Sequence, residues 1–290
     1  MDNIKTLLRL YRLYAKMDLL WFLRDTKYCL IQLAADTVCA FCTIAGVFLL
    51  SANFGGFGGM SQDEILFMMG FSTIVDGIYM VFFIGNNTAM ISRTIGRGQM
   101  DHMMIQPVPV WAELMAQGFS PLSGSSMLLW GIALTVYGAG KLALTVSFAW
   151  VLLFLLYAFS SVILILSFMY LLSCAAFYAP AAAEEIASVG KDLFTSLKTY
   201  PLGRINPTAK RVFLTVIPVG LASWFPSRIL LMKAGRDTVS TADATGVFAS
   251  VLYLPAAALI LLTITIFVFK KGMKYYALHG SPRYSGFGHR

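Results

Sequence analysis

Polar residues interrupt this chain only at wide intervals, and the apolar stretches between them set its elements. Residues 28–52 and 63–91 each form an apolar stretch longer than the roughly 20 residues that cross a bilayer as a helix. The turn between them, 54–60, reads FGGFGGM, with glycines that permit tight backbone geometry. A third span is predicted over 111–138, turning through GAGK at 138–141. The last is predicted over 244–270 and ends at Lys270, Lys271 and Lys274.

The middle of the chain is less regular. From 142 to 183 no charged residue occurs, about 42 positions, which as one helix would reach roughly 63 Å, twice a bilayer core. No Gly or Pro breaks the run before Pro180, so one long fourth span over 142–178 is predicted instead of a hairpin, overhanging on the inner side. Segment 181–200 is amphipathic. Glu184, Ser188, Lys191, Thr195 and Lys198 share one stripe, while Ile186, Val189, Leu193 and Leu197 lie elsewhere. Such a helix either floats on the cytoplasmic interface or crosses the membrane with its polar stripe against a wet cavity. Floating makes 212–232 the fifth span. Crossing makes 201–235 an outer re-entrant element broken at Pro207, Pro218 and Pro226. The positive-inside rule prefers the floating helix. Both readings give six spans with both termini inside.

Ahead of the spans, Lys5, Arg9, Arg12 and Lys16 follow helical spacing, and Ile4, Leu7, Leu8, Tyr11 and Ala15 take another face. Residues 1–27 therefore predict an amphipathic helix on the inner membrane surface, its cations toward lipid phosphates or a partner. The basic residues are spread without a short apolar region and a small-residue cleavage site, so no signal peptide is expected. A basic tail, 272–290, is expected in the cytoplasm.

Composition agrees. The chain of 290 residues is 58% hydrophobic and 12% charged, with mean hydropathy +0.73, against about 25% charged in soluble domains. The net charge of +8 sits beside apolar spans, so it reads as positive-inside bias and not as a nucleic-acid surface. The cysteines, Cys29, Cys39, Cys42 and Cys174, lie in apolar context and read as packing residues.

Candidate chemistry is sparse. Gly138-Ala-Gly-Lys141 ends like a P-loop, but Leu142 stands where Ser or Thr is required. His102, His279 and His289 lack a second ligand at metal spacing, and no serine sits in a recognisable nucleophile motif. Two acids fall inside spans, Asp36 and Asp76. A charge at a helix centre costs roughly 2.5–3.5 kcal/mol on insertion scales, so both are expected to face protein or water. For Asp36 an interhelical hydrogen bond is the leading reading. Asp76 shares a face with Ser72, Tyr79, Phe83, Asn86 and Asn87, either a pathway lining or a structural hydrogen bond.

Between the second and third spans lies a polar elbow, GRGQMDHMMIQPVP at 96–109. The connection runs to roughly 19 residues where two to eight suffice. Asp101 is flanked by methionines, and Met100, Met103 and Met104 would form an adaptable apolar surface for a soluble partner.

GQMD at 98–101 followed by Gln106-Pro107 resembles the inner loop of the ABC-2 type permeases, in the half-size branch of six-span subunits. TYPL at 199–202, Asn206-Pro207, Arg211, Ile217-Pro218 and Pro226 are similar to that family's proline-rich region after the fifth span. The resemblance implies an all-α membrane fold: six transmembrane helices, an N-terminal interfacial helix, a cytoplasmic coupling helix and an outer re-entrant element. It makes 181–200 the fifth span, against the charge count. It implies ATPase-coupling roles for Gly98, Met100, Asp101, Met103 and Pro107, and pathway or gate roles for Asp76, Phe83, Asn87, Tyr200, Pro201, Pro218 and Pro226. The implied protein is the non-enzymatic permease subunit of an exporter in the cell membrane, paired with a second copy or a related permease. ATP and Mg would sit on a separate ATPase dimer, with no cofactor on this chain. The cargo class would be a drug, antibiotic, lipid or glycan. The rivals are a proton- or ion-coupled carrier using Asp36 and Asp76, and a membrane-embedded enzyme.

Overall fold

The computed structural model describes residues 2–83, 91–122, 124–235 and 244–280, and these are helical with short connections. An amphipathic helix, α1 (Asp2–Arg24), leads into α2 (Thr26–Asn53) through a break at Asp25. Its inner face is fastened. The Leu122 N–H donates to the Asp18 carboxylate at 2.7 Å, and the Tyr11 hydroxyl donates to the Met115 carbonyl at 3.3 Å.

The 54–60 turn holds Gly55, Gly56, Gly58 and Gly59 at positive φ, where a side chain would clash with its own backbone. Helix α3 (Gln62–Phe83) then starts at a reciprocal cap. The Ser61 N–H donates to Glu64 Oε2 at 2.8 Å, and the Glu64 N–H faces Ser61 Oγ at 3.4 Å. Most of α3 is buried, which makes it the centre of the bundle.

The expected third span is not one helix. A short helix, α6 (Val110–Ala116), is separated from α7 (Ser125–Lys141) by an irregular stretch containing Gly118, Pro121 and Gly124. Pro121 lacks the N–H that a continuous helix would need. Helix α7 packs against α3 through glycines seven residues apart on both partners. A Cβ on Gly70 would lie 2.6 Å from the Thr135 backbone, and one on Gly77 2.4 Å from Leu128 Cα. On α7, a Cβ on Gly131 would lie 2.5 Å from the Ile74 nitrogen. Without a hydrophobic drive between helices in lipid, such small residues let backbones approach closely.

The fourth span also differs. Helix α8 (Phe148–Ser173) begins at a Ser147 cap rather than at 142, and it ends in a 3₁₀ turn, Cys174–Phe177. The 142–147 connection includes Ala143 at φ 48°. Pro180 at its first turn starts α9 (Pro180–Leu197). Three short helices follow: α10 (Pro207–Thr215), α11 (Val219–Ala222) and α12 (Trp224–Lys233). Pro207 and Pro218 stand at helix starts as expected. Pro226 lies inside α12, and the break falls at Ser223 instead.

The last helix, α13 (Ala244–His279), continues past Lys270 to His279, nine residues beyond the expected stop. Its internal Pro255 leaves the Val251 carbonyl without a helical donor. The Tyr157 hydroxyl of α8 donates to that carbonyl at 3.0 Å, so the orphaned acceptor is satisfied across the helix pair.

Among the described residues, four helical segments are long and apolar enough to cross a membrane: Thr26–Asn53, Gln62–Phe83, Phe148–Phe177 and Ser250–His279. Helix α7, with 17 residues, reaches only about 26 Å, and α9 carries Glu184, Glu185, Lys191 and Asp192. Neither meets the same standard, so the six spans anticipated are not all matched.

Candidate functional site: a charged cavity and a tethered elbow

Helix α9 starts at one end of the bundle and leaves at the other. Near its start, Arg93 Nε of α4 (Ile91–Gly96) donates to Glu184 Oε1 at 2.7 Å. Past its C-terminus, Gly58 and Gly203 approach so closely that a Cβ on Gly203 would lie 2.0 Å from the Gly58 carbonyl. The Tyr200 and Phe57 rings meet edge to face, with centroids 6.3 Å apart. Tyr200 and Pro201 therefore sit at the 54–60 turn, at the end of the bundle away from α4. Pro201 and Pro218 are buried there, and Tyr200 is exposed.

Between these ends a cavity of about 180 Å³ opens among α3, α7, α8 and α9. Asp76 and Tyr79 of α3 line it, together with Lys191, Thr195 and Lys198 of α9's polar stripe. Lys198 Nζ pairs with the Asp76 carboxylate, and Lys198 is only 5% exposed. The Lys198 carbonyl accepts from the Ser223 hydroxyl, tying the pair to the start of α12. A carboxylate in an apolar bundle is tolerable because the ammonium compensates it. The Phe83 ring meets Tyr79 at a tilt at the edge of this group, with centroids 6.2 Å apart. Asn87 lies outside the described residues. Sequence reasoning named Asp76 but missed its partner; the signal was the apolar context of Lys198 at helical spacing from Lys191.

Asp36 takes a different place. It accepts from Gln32 Nε2 on its own helix at 3.1 Å, at the border of a separate cavity between α1, α2 and the α6–α7 break. Its partner is thus intrahelical, not the neighbouring helix that was expected.

The elbow folds as α4, then α5 (Gln99–Met104), then α6. Gly98 joins the first two at φ 71°, a conformation that favours glycine. The expected methionine surface is corrected here. Met100 is 0% and Met103 4% exposed, both packed into the core. This short helix must bury one face against α4 and α6, and the i, i+3 pair 100 and 103 supplies it. The outward apolar residues are Met104 and Ile105, the latter 81% exposed, with Pro107 beside them. Asp101 does not face outward freely either. The Tyr276 hydroxyl of α13 donates to Asp101 Oδ1 at 2.6 Å. On α6, burial pushes the Glu113 carboxyl above the ordinary carboxylate range.

The fold and these features define a multi-pass helical membrane protein with a polar, charge-paired cavity inside its bundle. The chain belongs to the ABC-2 family transporter proteins, whose family model matches residues 37–280. It is thus an ABC-2 type permease, a membrane component of a transporter and not itself a catalytic enzyme. No curated protein and no solved structure matches the chain significantly.

Proposed function

We propose that this chain is half of the translocation pathway of an ATP-driven exporter in the cell membrane, powered by a separate pair of ATPase subunits. The observation that carries the reading is the construction of the elbow. Its exposed tip, Met104, Ile105 and Pro107, offers an apolar contact to a soluble partner. Its rear is tethered to distant helices, by Tyr276–Asp101 to α13 and by Arg93–Glu184 to α9. Displacing the tip therefore moves two bundle helices together, which is what a coupling element must do. ATP and Mg belong to the partner in this reading.

The α4 end is taken as cytoplasmic and the 54–60 turn as outer, with both termini inside. Helix α9 then crosses between them, and 201–235 forms the outer re-entrant gate with Tyr200, Pro201, Pro218 and Pro226. The contact of Gly203 with Gly58 supports this over a helix floating at the inner face. The outward side of α9 bears Glu185 and Asp192 among Ile186, Val189 and Leu193. Carboxylates facing lipid are expensive, which supports a second permease half, a copy or a relative, covering α9. Six crossings follow with α7 and α9 included.

The cargo in this reading is amphiphilic or hydrophobic. A proton-coupled carrier is less well supported, because Asp76 is compensated by Lys198 and Asp36 is bonded to Gln32. A photo-crosslinker placed at Ile105 tests the proposal. It should capture an ATP-binding subunit in membranes of the native host, whereas one placed at Leu49, exposed on the far part of α2, should not. Equal capture from both positions would refute it.

A further inference from the structure

The cavity among α3, α7, α8 and α9 carries more donors than its one carboxylate can occupy. Asp76 is taken by Lys198. Lys191, seven residues earlier on the same stripe, lines the cavity and makes no ion pair among the described residues. Tyr79 is 7% exposed, and its buried hydroxyl has no hydrogen-bond partner among the described residues. Both groups border the same space. A buried hydroxyl without a partner and an ammonium without a counter-ion in an apolar bundle are each unfavourable. One oxyanion placed between them relieves both. The remaining wall, Met80, Met127, Ile165, Met169 and Phe194, is apolar and rich in adaptable methionine.

We propose that this cavity is the headgroup subsite for an anionic amphiphile, with Lys191, Lys198 and the Tyr79 hydroxyl donating to the oxyanion. Asp76 is the resident counter-ion that holds Lys198 while the site is empty. The incoming anion competes with Asp76 for Lys198 and so loosens the link between α3 and α9. At about 180 Å³ the space accommodates a phosphate- or carboxylate-sized group, and the apolar tail extends beyond it along the methionines. Transport of such a compound rests on the exporter reading; its binding to the chain does not, and can be measured without any ATPase.

The probe is radiolabelled dodecyl phosphate, bound to the full chain in nanodiscs of zwitterionic phosphatidylcholine. Lys191→Gln should weaken binding about tenfold or more, the loss expected for one charge-assisted contact. Asp76→Asn keeps the size and an acceptor oxygen for Lys198 but removes the competing charge, so it should tighten binding several-fold. A purely structural role for Asp76 would not produce a gain. Asp192→Asn, on the outward side of α9, should leave the affinity unchanged. Inorganic phosphate and dodecyltrimethylammonium should compete poorly, the first lacking a tail and the second carrying the wrong charge. Unchanged affinity in Lys191→Gln overturns the subsite. So does effective competition by either compound, the first because the site would then be one for free anions. A gain in Asp192→Asn equal to that of Asp76→Asn overturns it too, since the counter-ion of Lys191 would then lie on the outward face.

Discussion

Replacing Tyr276 with Phe removes one hydroxyl and keeps the ring that packs on Phe177 with centroids 6.2 Å apart. The lost interaction is the 2.6 Å hydrogen bond to the Asp101 carboxylate. A hydrogen bond to a charged group contributes about 1.5–3 kcal/mol net. Asp101 is only partly buried, so water can replace part of the lost bond, and the lower figure of about 1.5 kcal/mol applies. That corresponds to roughly a tenfold rise in the population of states with α5 detached from α13. Amide hydrogen exchange reads this population directly, because opening of a short helix exposes its N–H groups. Peptides covering Gln99–Met104 should exchange about tenfold faster in Tyr276→Phe, with α8 peptides unchanged. Equal exchange in the two proteins would refute the reasoning, since the Tyr276 hydroxyl would then contribute nothing to holding the elbow.

Other expected outcomes follow from the same geometry. Gly77→Leu drives a side chain into the Leu128 backbone and should cost about 1–3 kcal/mol in thermal unfolding in detergent, as overpacked cores do. Gly140→Ala, with open space around it, should change stability by less than about 1 kcal/mol. The Arg93–Glu184 pair is partly exposed, at 40% and 28%, so a double-mutant cycle should return a coupling below about 1 kcal/mol. The folded state binds the Glu113 proton more tightly than the unfolded chain does, because burial raises its affinity. Stability should therefore fall as pH rises from the ordinary carboxylate range to the raised folded value, then stay level; a Glu113→Gln profile lacking that step confirms the source. A cysteine at Thr208, exposed at the start of α10, should react with an impermeant thiol reagent in intact cells; reaction only after permeabilisation would place the 201–235 region inside.

Where hydrophobic pattern alone decides the outcome, sequence and structure coincide. Helices α1 and α2 follow the expected boundaries to within a few residues, and α9 begins at its proline. The misplaced boundaries share a cause. The run from 142 to 183 holds no charge, and apolar continuity could not mark the turn at 142–147, where Ala143 adopts a left-handed conformation. The third span is read through Gly118, Pro121 and Gly124 because no charged residue marks the break between Glu113 and Lys141. Backbone donors of that break are satisfied from outside, by Asp18 and by the Val81 carbonyl, which accepts from the Ser120 N–H at 2.9 Å. Long-range partners of this kind leave no local signature. The site shows the same division. Asp76 was visible as an acid in an apolar span, but Lys198 lies 122 positions away in the chain. Met100 and Met103 read as outward in the sequence yet lie inward, because composition does not tell which face of a short helix meets the core.

The most direct test of the account is ATP-driven export by the permease and its ATPase partner, purified together and reconstituted in vesicles, with Ile105→Asp compared with the parent. Ile105 bears on the core little, being 81% exposed, so the variant should fold and insert normally. A carboxylate at the tip of the elbow should nonetheless abolish substrate-stimulated ATP hydrolysis and export together. Unimpaired export in Ile105→Asp, or export driven by a proton gradient without ATP, would contradict the account.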